Sequence, residues 1–147
     1  MVAILPITKW PIAGFEPLLR ASREEGFRFL HRLDTDWISG KNRFEQTGEA
    51  LYGLFLGDQL IGLGGINLDP YARSADVGRL RRFYILPAHR RQGLGRSLCQ
   101  HIFDQHQAYF REIRLRTDQK AAANFYTSIG FSANPEAVQH THALILK

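Results

Sequence analysis

The chain has 147 residues, 44% of them hydrophobic, which fits one domain able to bury a core without disulfides or a structural metal. Its single cysteine, Cys99, excludes an internal disulfide and any zinc site built on cysteine pairs. No apolar run approaches the roughly 20 residues of a membrane-spanning helix, and the apolar start at Met1 lacks the basic stretch of a signal peptide. We therefore expect one cytoplasmic domain over residues 1–147, with no metal and no membrane partner.

The positive charge is concentrated in one segment. The formal net charge is +5, yet six arginines and no acidic residue lie between Arg79 and Arg96. A basic patch this compact suits a small polyanion, such as a nucleotide pyrophosphate, better than a long nucleic acid. We therefore expect no nucleic-acid partner. That weaker alternative would require DNA or RNA binding with a steep salt dependence.

The first half of the chain predicts a strand, a helical stretch and an antiparallel hairpin. In chain order these are expected over residues 3–8, 15–33, 50–56 and 59–67. Gly26 weakens or divides the helical stretch. Gly57-Asp58, between the last two runs, is a pair typical of hairpin turns. The two runs should therefore be neighbouring antiparallel strands.

A third strand is expected from about residue 76 to 86, where Pro87 stops it. Its apolar residues Leu80, Phe83 and Ile85 do not keep a strict two-residue alternation, because the step from 80 to 83 is odd. A β-bulge near Arg81-Arg82 would restore the alternation.

Beyond Pro87 the pattern predicts helix, strand, helix and closing strands. The expected ranges are 93–109, 112–117, 121–129, and final strands from 131 onward and over 140–146. Gly130 closes the second of these helices, as glycine does at many helix C-termini. The whole order indicates a mixed α/β fold with its antiparallel strands first.

The turn Arg90-Arg91-Gln92-Gly93-Leu94-Gly95 joins the third strand to an amphipathic helix. Its two glycines allow a close approach of the backbone to a ligand, and a helix start leaves N–H groups unpaired. Such a turn can bind an anion, and arginines would add charge. By itself it is equally well explained as a tight turn without a ligand. The Walker A and dinucleotide-binding patterns are both absent.

Two motifs resemble those of the GNAT N-acetyltransferases. Phe83-Tyr84-Ile85-Leu86-Pro87, followed by Arg90-x-x-Gly93-x-Gly95, closely resembles the acetyl-CoA motif of that superfamily. Ala122-Ala123-Asn124-Phe125-Tyr126, followed by Gly130-Phe131, resembles its second motif at a suitable distance. The resemblance implies the GNAT fold, a central, mostly antiparallel, splayed sheet of six or seven strands flanked by about four helices.

The resemblance also implies how acetyl-CoA would bind as cosubstrate. Backbone groups of Phe83 and Ile85 would pair with the pantetheine arm, the turn would hold the pyrophosphate, and an N–H near Tyr84 or Ile85 would bind the developing oxyanion. The expected contacts are Phe83, Tyr84, Ile85, Arg90, Arg91, Gln92, Gly93, Leu94, Gly95, Arg96, Gln119, Asn124 and Tyr126. Gln119 stands where many members have asparagine, and Asn124 is out of register with it.

Tyr126 matches the family tyrosine that protonates the departing thiolate, so the resemblance implies that it is the general acid. A thiol pKa near 8.5 makes coenzyme A a fair leaving group, and a phenol of pKa about 10 can act as its acid. For a lone tyrosine, core packing with a satisfied hydroxyl would be the commoner role. The flanking motif favours the catalytic one.

The general base is less well defined, because Arg79 stands where many members carry a glutamate. An ammonium acceptor of pKa about 10 must lose a proton before it attacks, so a base or a water relay is expected. Asp76 is the candidate base, with Glu45 and Glu49 as alternatives. Each of the three is also explained as an ordinary solvated carboxylate.

Together these features predict acetyl transfer from acetyl-CoA to a primary amine by direct attack in a ternary complex. The alternative is a non-catalytic acyl-CoA-binding regulatory module, which the arginine at position 79 would favour. The acceptor would be a small-molecule or peptide amine that the motifs do not identify. A homodimer is a further option, since dimers are frequent in the family.

Overall fold

The structure is a computed structural model that describes residues 1–146. Over this range the chain forms seven strands and four helices. The strands are β1 (Val2–Pro6), β2 (Ala50–Leu56), β3 (Gln59–Leu68), β4 (Val77–Ile85), β5 (Glu112–Leu115), β6 (Ser132–Ala133) and β7 (His142–Ile145). The helices are α1 (Phe15–Glu24), α2 (Phe29–Ser39), α3 (Leu94–His106) and α4 (Lys120–Ser128). A 3-10 turn, Pro87–His89, joins β4 to α3.

The strands form one sheet in the order β1, β2, β3, β4, β5, β7, β6. All neighbouring pairs are antiparallel except β4 and β5, which run parallel. That parallel pairing joins only residues 77–79 to residues 112–114. The two strands therefore diverge after Arg79, which confirms the predicted mixed α/β fold with a mostly antiparallel, splayed sheet.

β4 contains the predicted bulge. Between the Gly65–Arg81 and Leu63–Tyr84 pairs, one residue of β3 faces two residues of β4. The extra residue is Arg82, whose φ of 56° lies in the left-handed region. The strand bends here, shortly after its pairing with β5 ends.

Helices cover the sheet on both faces. On one face, α1 and α2 bury Phe15, Leu18 and Leu30 against the hairpin strands. On the other face, α3 and α4 contribute Leu98 and Tyr126 to a second core cluster. The strands β2, β3 and β4 supply side chains to both clusters, whereas β5 supplies Ile113 and Leu115 to the second cluster alone.

The expected helical stretch over residues 15–33 is two helices in the structure. The chain breaks near Gly26, where φ is 86°, and the second helix continues to Ser39. Among residues 1–146, none of the helices is long and apolar enough to cross a membrane.

Candidate active site

The gap between β4 and β5 is an open cleft of about 1280 Å³. The second half of β4 and the start of α2 form one wall, and the end of β5 with α4 forms the other. Eight arginines line the cleft, whereas Glu25 and Asp118 are the carboxylate residues in its lining. The cleft is therefore strongly electropositive.

One edge of β4 opens into this cleft. The N–H of Leu86 donates to the carbonyl of Ile61 in β3. Because backbone groups alternate along a strand, Phe83 and Ile85 direct their N–H and C=O groups to the opposite edge, into the cleft. Beyond residue 79, no strand of the described chain pairs with that edge. Between the two positions considered from the sequence, Ile85 rather than Tyr84 therefore offers its N–H to the cleft.

The glycine turn closes one end of the cleft. Gly93 has a φ of 77° and precedes α3 without any side-chain cap, so the first N–H groups of the helix have no such partner. A Cβ at Gly95 would lie 3.2 Å from the ring of Phe125. The backbone therefore approaches α4 closely here, and the positive end of the α3 dipole faces the cleft.

Arg90 lines the cleft, but its guanidinium is already engaged. Both terminal nitrogens donate to the carboxylate of Glu25 at 2.8 Å, and Nε donates to the Ile85 carbonyl at 2.8 Å. The hydroxyl of Tyr84 donates to the same carboxylate. The hydrogen bond from Arg90 holds the pKa of Glu25 below its usual value. Arg91 and Arg96 are therefore the arginines available to an anion at the turn.

Tyr126 lies on the α4 wall, close to the bulge. Its ring centroid is 6.1 Å from that of Phe83 and 5.3 Å from that of Phe125. Burial raises the pKa of Tyr126, and neighbouring Cys99 adds to the effect. The phenol is therefore protonated at neutral pH, as a general acid must be.

The acetyltransferase (GNAT) family model matches residues 13–131, which contain the bulged strand, the turn and α4. This chain belongs to the GNAT acetyltransferase family. The family uses acetyl-CoA as acyl donor, and membership makes the chain an acyltransferase. A proposed acetyltransferase from Exiguobacterium sp. 255-15 is 27% identical with a TM-score of 0.88, over 99% of this chain and 93% of its own.

Two more distant structures share the GNAT fold. N-acetylglutamate synthase from Neisseria gonorrhoeae, solved with coenzyme A and N-acetyl-glutamate, is 17% identical with a TM-score of 0.76, over 100% of this chain and 35% of its own. Ribosomal-protein-S18-alanine N-acetyltransferase from Escherichia coli is 17% identical with a TM-score of 0.69, over 100% of this chain and 95% of its own. A comparison with curated proteins finds no match.

Most residues expected from the GNAT motifs surround the cleft. They are Phe83, Tyr84, Ile85, Arg90, Arg91, Gly93, Gly95, Arg96, Gln119 and Tyr126. Three expected contacts are not part of the lining. Gln92 and Asn124 are exposed elsewhere, and Leu94 packs against the core. The side chains of these three residues therefore have no support from the geometry as cofactor contacts, whereas the N–H of Leu94 is the first of α3.

Asp76 lies outside the cleft, at the start of β4. Its carboxylate accepts hydrogen bonds from the hydroxyl of Ser74 and from Nε of Arg111, and these bonds, the one from Ser74 first, lower its pKa. Glu45 is exposed, and Glu49 accepts the N–H of Leu68 at 2.9 Å. The structure therefore brings none of the three carboxylates proposed as base into the cleft.

Arg79, which stands where many GNAT members have a glutamate, is buried and fully occupied. One terminal nitrogen lies 3.3 Å from the carboxylate of Asp69, and the other donates to the carbonyl of Gln139 at 2.7 Å. The guanidinium also lies 5.0 Å from the ring centroid of Tyr71. Arg79 thus holds the segment before β7 beside the cleft. Its paired guanidinium cannot replace the family glutamate as a base.

Sequence reasoning missed the partners that fix these arginines. Glu25 lies 65 residues from Arg90, and Gln139 lies 60 residues from Arg79. No motif surrounds either partner, because each acts through its position in the fold. Only contacts between distant segments identify them.

Proposed function

We propose that this chain transfers the acetyl group of acetyl-CoA to a primary amine by direct attack in a ternary complex. The observation that carries the proposal is the unpaired edge of β4, which extends from the glycine turn to the bulge and faces Tyr126. An unpaired strand edge recognises an extended ligand through its backbone, as in peptide recognition by strand addition.

The groups around this edge suit coenzyme A. Arg91, Arg96 and the first N–H groups of α3 would hold the pyrophosphate. The backbone of Phe83 would pair with the pantetheine arm, whereas the carbonyl of Ile85 is already bonded to Arg90. Arg90 has a different role, because its bonds to Glu25 and to the Ile85 carbonyl fix the strand end against α1.

Bound acetyl-CoA supplies a thioester whose carbonyl carbon is open to attack by an amine. The Ile85 N–H would donate to the carbonyl oxygen as negative charge develops on it. Tyr126 would donate its phenolic proton to the leaving sulfur. Phe83 and Phe125 make this part of the cleft apolar, which strengthens both interactions.

No carboxylate base enters the proposal. Asp76 is bonded to Arg111 outside the cleft, Glu25 is held by Arg90, and Asp118 lies 3.9 Å from Arg116. The ammonium proton would instead leave through water in the open cleft, or the amine would bind already neutral.

The second candidate is a non-catalytic acyl-CoA-binding module. The buried ion pair of Arg79, at the position of the family glutamate, favours it. This alternative predicts tight binding of acetyl-CoA and no transfer to any amine.

Calorimetry with acetyl-CoA tests the donor site. Gly95→Glu should weaken binding at least about 100-fold, since it adds bulk beside Phe125 and negative charge near the pyrophosphate. Gln105→Glu, at an exposed position of α3, adds the same charge away from the cleft and should bind as the wild type does. Equal affinity of the wild type and both variants for acetyl-CoA would exclude a donor site at the glycine turn.

A thiol-release assay over amine classes tests the transfer. Release of coenzyme A that depends on a primary amine supports catalysis. Tight binding without release from any amine would establish the regulatory module instead.

A further inference from the structure

A second group of arginines lies at the bulge end of the cleft. These bulge arginines are Arg32 of α2 with Arg81 and Arg82 of β4, and all three line the cleft. About 13 Å of extended strand separates Arg81 from Ile85, beyond which the turn begins. The proposed binding of the pyrophosphate by Arg91 and Arg96 leaves this second group without a role.

The positive charge of the bulge arginines is incompletely balanced. Arg82 has a side chain that is 12% exposed, and its one ion pair, with Asp36, is long at 3.4 Å. Its Nε is buried and has no hydrogen-bond partner among residues 1–146. Within residues 1–146, no carboxylate lies within 4.0 Å of the half-buried Arg81 guanidinium. Nearby Asp69 is already paired with Arg79.

This arrangement is costly without a ligand. Burial, with Arg81 and Arg32 adding to it, lowers the pKa of Arg82 to about 10. Burial followed by the charge of Arg79 lowers the pKa of Arg81 as well. A buried cation is normally paired, and a guanidinium fork matches the geometry of carboxylate and phosphate groups. A carboxylate or phosphate would satisfy both arginines.

We propose that the bulge arginines bind a carboxylate or phosphate of the acceptor, so that the substrates are primary amines with an anionic group of their own. This inference rests on the proposed acetyl transfer. The anion belongs to the acceptor because Arg81 and Arg82 lie on the α2 side of the sheet, where Arg82 meets Asp36, while Phe83 and Tyr126 belong to the α4 side.

The same charges help to activate the amine. Neighbouring cations disfavour the ammonium form, so the bulge arginines lower the pKa of an acceptor bound beside them. This assists loss of the proton in a cleft whose two lining carboxylates, Glu25 and Asp118, each lie beside an arginine. The bulge arginines also repel acceptors whose only charges are positive, such as polyamines. In the proposed acceptors, the anionic group offsets that repulsion.

Matched amine pairs test the inference in the wild-type protein. Each ω-aminocarboxylate from glycine to 6-aminohexanoate is compared with the n-alkylamine of equal length, and O-phosphoethanolamine is compared with ethanolamine. With saturating acetyl-CoA, kcat/KM should favour the anionic member of at least one pair by about 10- to 100-fold. A preference confined to one chemistry distinguishes carboxylate from phosphate.

Substitutions at Arg81 locate the preference. Arg81→Gln should lower the ratio of anionic to neutral kcat/KM at least about tenfold, and Arg81→Lys should retain part of it. Arg73→Gln is the control, because it removes the same charge at an exposed position outside the cleft. A second readout is calorimetric binding of the N-acetylated products, in which Arg81→Gln should weaken binding of the anionic product only.

Three outcomes would overturn the inference. Equal kcat/KM within every pair would overturn it while leaving the acetyl transfer intact. So would a loss of coenzyme A affinity in Arg81→Gln as large as that in Arg91→Gln, because the arginine would then serve the cofactor. Absence of transfer to any amine would remove the proposed function and this inference with it.

Discussion

The cleft has two halves that are built from different kinds of group. The acyl-donor half, formed by residues 83–96 and α4, offers backbone N–H groups, a glycine turn and one phenol. The acceptor half, formed by the bulge arginines, Arg79 and the segment before β7, offers side chains from segments far apart in sequence. A backbone site requires a short local motif, whereas a side-chain site requires the whole fold. Under the proposed function, the first half would carry the family chemistry and the second half the specificity for the acceptor.

The largest effect is expected where the acceptor half is held together. Arg79→Ala leaves Asp69, whose side chain is 1% exposed, without its partner, and breaking such a buried pair costs about 3–5 kcal/mol of unfolding free energy. Urea denaturation measures this cost. Arg111→Ala removes the exposed pair with Asp76 and a longer contact of 3.8 Å with Glu112, and it should cost clearly less. Equal losses would show that the buried pair does not stabilise the acceptor half.

The next effect separates catalysis from binding in the acyl-donor half. Tyr126→Phe should lower kcat about 100-fold, equivalent to about 2.7 kcal/mol of barrier, because the leaving sulfur loses its proton donor. Affinity for acetyl-CoA should stay near that of the wild type. Since burial raises the pKa of Tyr126, the loss should persist throughout the neutral pH range. The exposed Tyr109→Phe is the control. Unchanged turnover at every pH would rule out the acid role.

A smaller effect is expected when the glycine turn is compared with the β2–β3 hairpin turn, since both contain a glycine with a positive φ. Gly93→Ala and Gly57→Ala each force alanine into the left-handed region, at φ values of 77° and 61°, with nothing within 4 Å of the new methyl group. Each should cost about 1 kcal/mol of stability. Only Gly93→Ala should also weaken binding of acetyl-CoA in calorimetry. A similar change in both variants would argue that the turn has no special role.

The smallest effect lies outside both halves. Burial lowers the pKa of His106, which hydrogen-bonds Tyr52 and the carbonyl of Gly48. As the pH falls, His106 therefore takes up a proton in the unfolded chain before it does so in the folded one. Its contribution to stability is complete above the unfolded pKa near 6.5 and is lost as the pH drops towards the folded pKa. Denaturation at pH 7.5 and 5.5 should show this loss in the wild type and a smaller loss in His106→Gln. The exposed His31→Gln should behave as the wild type.

The acyl-donor half could largely be predicted from the sequence. The odd step between Leu80 and Phe83 predicted the bulge, and Gly93 and Gly95 marked a turn before a helix. These features are local, because backbone conformation depends on a few neighbouring residues. The sequence does not show that Glu25 engages the guanidinium of Arg90, which was expected to lie at the pyrophosphate.

The acceptor half could not be predicted in the same way. In the sequence, Arg79 is only a departure from the family glutamate, because its partners Asp69 and Gln139 depend on how β3 and β7 are placed. Asp76 is close in sequence to the bulged strand, but it lies before the start of β4 and outside the cleft. Proximity in sequence is a poor guide to proximity in space here, because the six residues from Asp76 to Arg82 at the bulge span about 20 Å when extended.

The bulge in β4 consists of a single extra residue. Arg82 is the one residue of β4 in excess of the regular pairing with β3. Without it, Phe83 would stand opposite Gly64 and every other pair between the two strands would be kept, so that the sheet could close as a regular ladder. A single extra residue thus bends β4 shortly beyond its last pair with β5, next to the unpaired edge that faces the cleft.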